Sequence, residues 1–167
     1  QFFRRMAFET YRAALTPDQA LQLRAATLFD SGLPVPRAAL EAVGQKAGVA
    51  DAAAATDRLL GLGLLDDFGE IDGEASAGVN PLARPLCEEL PQDDLPVLAQ
   101  AALPWLDRVW RDAQGAVPQD ARALCLNRLA LAAPAPDVET LNRAAEAAAR
   151  LLFSRQHDAR RAMTEVL

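Results

Sequence analysis

The chain has 167 residues, of which 17 are Lys or Arg and 23 are Asp or Glu, for a formal charge of -6, with 51% hydrophobic and only 5% aromatic residues. One or two small domains fit this length, and an apolar share made mostly of Ala and Leu favours helices over a large sheet. Disorder, a collagen-like repeat and an all-β sandwich are excluded.

A leading segment over residues 7–15 can be helical and stops at Thr16-Pro17-Asp18. Thr16 suits an N-cap, Pro17 the first helical position and Asp18 the positive end of the dipole, so a helix is expected over 17–29 with Leu21, Ala25 and Leu28 on its buried face. Asp30-Ser31-Gly32 stops it, and Leu33-Pro34-Val35-Pro36 reads as extended. A short second helix is expected over 37–43, a turn over 44–49, and a third helix, opened by Asp51, to about Leu62, ended by Gly61-Leu62-Gly63. The period then changes: residues 64–68 and 78–80 read as short strands around the acidic loop 69–74. Three helices followed by a small hairpin is the order of a winged helix, a helix-turn-helix variant.

From Pro81 a helix is expected with Leu82, Leu86 and Leu90 in one row, and 91–94 is the candidate linker. Helices follow over 95–114, with Pro104 kinking or dividing it, then 118–132, 137–153 and 158–167. The expected fold is therefore mainly α, a winged helix with a leading helix over 1–92 and an antiparallel helical bundle or TPR-like repeat start over 93–167.

No uncharged apolar run reaches membrane-spanning length, and Gln1-Phe2-Phe3-Arg4-Arg5-Met6 lacks the pattern of a signal peptide, so a cytoplasmic protein is expected, with no membrane partner. Cys87 and Cys125, on Leu-rich segments, read as buried free thiols, and His157, among Arg155, Asp158 and Arg160, as part of a solvated turn. With one imidazole and no catalytic or metal-binding constellation, an enzyme is not expected. The missing initiator Met and the end at Leu167 inside a helical pattern read as a piece of a longer polypeptide.

Helix-turn-helix folds bind DNA through Arg and Lys on the recognition helix and wing. Here the third helix carries Asp51, Asp57 and Arg58 around an apolar strip from Ala52 to Ala55, and the wing carries Asp66, Asp67, Glu70, Asp72 and Glu74 with no base. Residues 1–92 hold eight basic and thirteen acidic side chains, net -5, and the rest nine and ten, net -1. Nucleic acid is thus not the expected partner, and Ala52, Ala55, Asp66, Asp67, Glu70 and Asp72 are candidates for contact with protein.

Four segments, 11–29, 36–43, 59–65 and Val79-Asn80-Pro81-Leu82-Ala83-Arg84-Pro85-Leu86, resemble in order and spacing the winged-helix region of STAND-type (NB-ARC-like) signalling ATPases; the likeness covers roughly residues 8–90. It implies a regulatory module in which a His-Pro-Leu-type segment after the wing reaches a bound nucleotide and a helical-repeat sensor follows. Asn80 stands at the position of that histidine; its amide can donate to a phosphate but cannot become cationic, which leaves Asn80 and Arg84 as nucleotide-sensing candidates. No Gly-x-x-x-x-Gly-Lys-Ser/Thr loop exists around the chain's single lysine, Lys46, so no cofactor is expected here and ATP or ADP would belong to the parent protein. The expected function is a non-catalytic interaction module acting through interdomain packing; the alternative is a DNA-binding winged-helix transcriptional regulator.

Overall fold

The computed structural model describes residues 10–11, 14–110 and 119–134, with scattered positions between 138 and 149. His157 and most of the helices expected over 7–15, 137–153 and 158–167 lie outside the described residues. The described chain is mainly helical, with five α-helices and one three-stranded antiparallel sheet.

Helix α1, Pro17–Ala26, starts on the expected cap, where Thr16 Oγ1 accepts from Gln19 N and Gln19 Oε1 accepts from Thr16 N. It ends three residues before the expected Phe29, because the N–H groups of Thr27, Leu28 and Phe29 turn to carbonyls three residues back. Leu28 and Phe29 are nevertheless buried.

Strand β1, Val35–Pro36, leads into helix α2, Arg37–Ala47. The turn expected at Gly44 is absent: α2 runs through it and ends at Gly48, whose φ of 103° is the left-handed cap that glycine supplies. Gly44 serves close packing instead. A Cβ there would lie 1.6 Å from Gln22 Oε1, and Gln22 is itself fully buried with its amide N donating to the Leu40 carbonyl at 3.0 Å.

Helix α3, Ala52–Gly61, begins on Asp51, whose carboxylate accepts from Ala54 N at 2.9 Å. Asp18 on α1 accepts from Ala50 N at 3.1 Å and so ties the entry of α3 to the start of α1.

Strands β2, Leu65–Ile71, and β3, Glu74–Val79, are longer than expected, and the loop shrinks to Asp72-Gly73. Both residues have positive φ, 54° and 79°, the geometry of a tight turn that follows the twist of its strands. Strand β3 is central in the order β1-β3-β2, and an extra residue at Phe68 bulges β2.

The helix expected from Pro81 is replaced by turns and one 3-10 turn, Arg84–Leu86. Pro85 has no N–H to donate to the Pro81 carbonyl as a helix from Pro81 would require, and the Asn80 side chain and carbonyl take the N–H groups of Leu82, Ala83 and Arg84. Leu82 is left exposed.

Helix α4, Leu95–Trp110, contains Pro104 without dividing, and α5, Gln119–Ala132, lies beside it. Helix α4 packs on α2 and reaches β1. One apolar cluster joins Leu23, Phe29, Leu40, Leu59, Leu65 and Val79 to Leu98, Leu106 and Leu129, so the core crosses the expected boundary at 92–93. Each large side chain it buries contributes about 1.5–3 kcal/mol. Among the described residues, no helix is long and apolar enough to cross a membrane.

The Gly44–Gln22 contact sets a test. Replacing Gly44 by Ala should cost about 1–3 kcal/mol in chemical denaturation. Combining it with Gln22→Ala should cost less than the sum of the two single changes, because the second removes the clash.

Candidate functional site

The acidic hairpin is the feature that the sequence marks for contact, and the fold already gives it one. The hairpin tip projects two carboxylates, those of Asp72 and Glu74, and arginines from α4 and α5 meet both. Arg122 on α5 pairs with Asp72, with the guanidinium 4% and the carboxylate 16% exposed. Arg108 on α4 donates to Glu74 at 2.8 Å in a much more open pair, 57% and 37% exposed.

Each arginine also lies over a tryptophan of α4. The Arg108 guanidinium is 4.7 Å from the Trp105 ring centre and that of Arg122 5.7 Å from Trp110, distances at which the ring face attracts a cation. The Arg122 guanidinium is incompletely matched: among the described residues, Nε and Nη1 are buried without an acceptor.

A third arginine repeats the direction of reach. Arg128 on α5 donates to the Leu28 carbonyl at 2.6 Å and stands 3.5 Å from Asp30, beyond the end of α1. Beside it Cys125 is buried. Burial pushes its thiol up to about 11, Asp30 adds to the rise and Arg128 opposes it. Cys87 is half-buried, so only one of the two expected buried thiols is fully enclosed.

The other candidates divide. Ala52 and Ala55 do not form a contact strip: they are 1% and 4% exposed, packed with Val49 and Leu21, because the inner row of α3 needs small residues to lie close to α1. Ala53 and Ala54 take the outer positions. Asp72 is consumed by Arg122, whereas Asp67 and Glu70 remain exposed, Asp67 accepting from Gly69 N at 2.8 Å. Asp66 and Asn80 are brought together across the sheet, where Asn80 Nδ2 donates to Asp66 Oδ1 at 2.8 Å while Asn80 Oδ1 accepts from Leu82 N. Both ends of the Asn80 amide are thus engaged, and Arg84 sits half-buried on the 3-10 turn.

On the α3 side, Arg37 is bound to Asp57 at 2.8 Å and to Glu41 at 3.1 Å. Burial works against its charge, but the two carboxylates outweigh it and its pKa lies above the ordinary value. A cation so paired has little attraction left for phosphate. Among the described residues no group of His, Cys, Asp and Glu could hold a metal ion.

No family model matches the chain, and no curated protein or solved structure matches it significantly. The site therefore rests on its own geometry.

Arg108, Arg122 and the tryptophans were not singled out as contact residues by sequence pattern. One signal was present: Arg122 stands in the row Arg122, Cys125, Leu129 that α5 buries, a charge at an apolar position.

Asp72→Ala should destabilise by about 3–5 kcal/mol, since it strands a buried guanidinium, while Glu74→Ala should cost no more than about 1 kcal/mol. Urea titrations of the two variants compare them directly. A thiol-specific alkylating reagent at pH 8 should label Cys125 far more slowly in the native protein than in urea. The raised thiol pKa also adds stability that is complete below pH 9 and is lost as pH rises towards 11, which melts across that range should register.

Proposed function

We propose that residues 17–79 are a winged helix and that the chain is a regulatory interaction module of a larger STAND-type signalling ATPase, acting through packing between domains. The element order, helix, strand, helix, helix and two strands, with a central last strand, supports the winged-helix reading. The ordered likeness of residues 8–90 to that ATPase region supports the parentage.

The observation that carries the functional reading is the state of the wing. Its tip acids are held by arginines of the helices that follow, and of the two arginines on α2 and α3, Arg37 is neutralised by Asp57 and Glu41 while Arg58 stays exposed. In a DNA-binding winged helix these elements present cations to phosphate; here the wing presents carboxylates, and α2 and α3 leave only Lys46 and Arg58 as exposed cations among the described residues. Protein surfaces, from other domains of the same chain or from separate partners, are the matching ligands. In this reading the module itself holds no cofactor, and nucleotide chemistry belongs to the parent's ATPase domain. With the Asn80 amide engaged by Asp66 and Leu82, a phosphate would have to displace an existing bond to be sensed there.

A gel shift of the chain with random duplex DNA tests the reading against the DNA-binding alternative. The expected result is no shift at micromolar protein in 50–200 mM salt, on the order of the range over which phosphate-driven binding weakens. Micromolar or tighter binding that falls steeply with salt overturns it.

A further inference from the structure

We propose that the Trp105, Arg108, Trp110 and Arg122 face of α4 and α5 is a docking surface for an acidic protein segment, and that the hairpin tip Asp72-Gly73-Glu74 is its built-in occupant. This deepens the packing role proposed above by naming the partner's chemistry: two carboxylates one residue apart, in the pattern Asp/Glu-x-Asp/Glu.

Charge complementarity carries the argument. Two tryptophan-backed guanidinium groups face two carboxylates, a cationic acceptor and an acidic ligand, both belonging to one chain. A second observation points the same way. The Arg122 guanidinium is almost fully buried, yet Nε and Nη1 have no acceptor among the described residues, so the hairpin fills the site without meeting all of its donors. A segment with a further oxygen in reach would satisfy what Asp72 leaves open.

The tip is also held under local cost. Asp72 has a φ of 54°, a left-handed conformation that a side chain adopts less readily than glycine, although Asp is among the residues that tolerate it. Its neighbour Gly73 supplies the other positive φ of the turn. The Glu74–Arg108 pair is open to solvent and exchanges easily, so release can begin there and proceed to the buried Asp72–Arg122 pair. A partner that replaces the tip frees the wing, and the two arrangements exchange by competition for the same arginines.

Trp105 and Trp110 are the two tryptophans of the chain, so its indole fluorescence reports this face directly. The probe is a synthetic peptide of residues 68–77, which contains no tryptophan, beside a control peptide with Asn and Gln in place of Asp72 and Glu74. In the full chain carrying Asp72→Asn and Glu74→Gln, the acidic peptide should give a saturable fluorescence change. The wild-type chain should need at least about tenfold more peptide, because its own tip competes. Adding Arg122→Gln should abolish the response, and the control peptide should give none. A flat titration in the released variant, equal half-saturation in both chains, or a response that survives Arg122→Gln overturns the proposal.

Circular dichroism checks that the released variant folds. If it does not, amide hydrogen exchange at residues 72–74 of the wild-type chain decides: faster exchange with excess acidic peptide supports displacement, and unchanged exchange overturns it. DNA binding in the gel shift would sink the regulatory reading and leave these results standing by themselves, so the two failures are distinguishable.

Discussion

A guanidinium buried with a single carboxylate is the constraint around which this molecule is arranged. Removing Arg122 and Asp72 from water costs more than their attraction returns unless both are held in place, so the helices and the hairpin must arrive together. The tight turn at Asp72-Gly73 sets the reach of the carboxylate, and α5 sets that of the arginine, which rests over Trp110. Each thus helps to position the other.

The same direction of contact recurs. Arg108, Arg122 and Arg128 belong to α4 and α5 and meet Glu74, Asp72 and the end of α1. The acid-rich first part is thereby neutralised locally by the part that follows it, while α4 packs on α2 and the apolar core runs through both. Nonpolar burial supplies the bulk of the cohesion, and the ion pairs determine which surface of the hairpin faces the helices.

This arrangement alters how the wing's acidity is to be understood. An acidic hairpin read as a string faces outward, towards some other domain. In the folded chain the tip faces inward, and the acids left for outside contact are Asp67 and Glu70 on β2. Ala52 and Ala55 are likewise spent on packing and Arg37 of α2 on two carboxylates, which leaves Ala53, Ala54, Asp57 and Arg58 as the outward positions of α3.

Short-range signals were legible in the residues themselves. Thr16 and Asp51 cap their helices through their own side chains, Gly63 takes a left-handed conformation past the end of α3, and the shift of hydrophobic period marks the strands. Such features need only neighbours within one turn, so composition and order reveal them. Gly44 was ambiguous, because a glycine that breaks a helix and one that admits a neighbouring Gln22 look alike in one dimension. The failed helix after Pro81 is similar: its leucine row carries a helical period, but Pro85 and the Asn80 bonds decide the backbone. The pairing of β1 with β3, the burial of Ala52 and Ala55, and the hold of Arg122 on Asp72 join residues tens of positions apart. Only chain closure brings them together, and only the water excluded by that closure turns an ordinary surface arginine into a buried charge that must be matched.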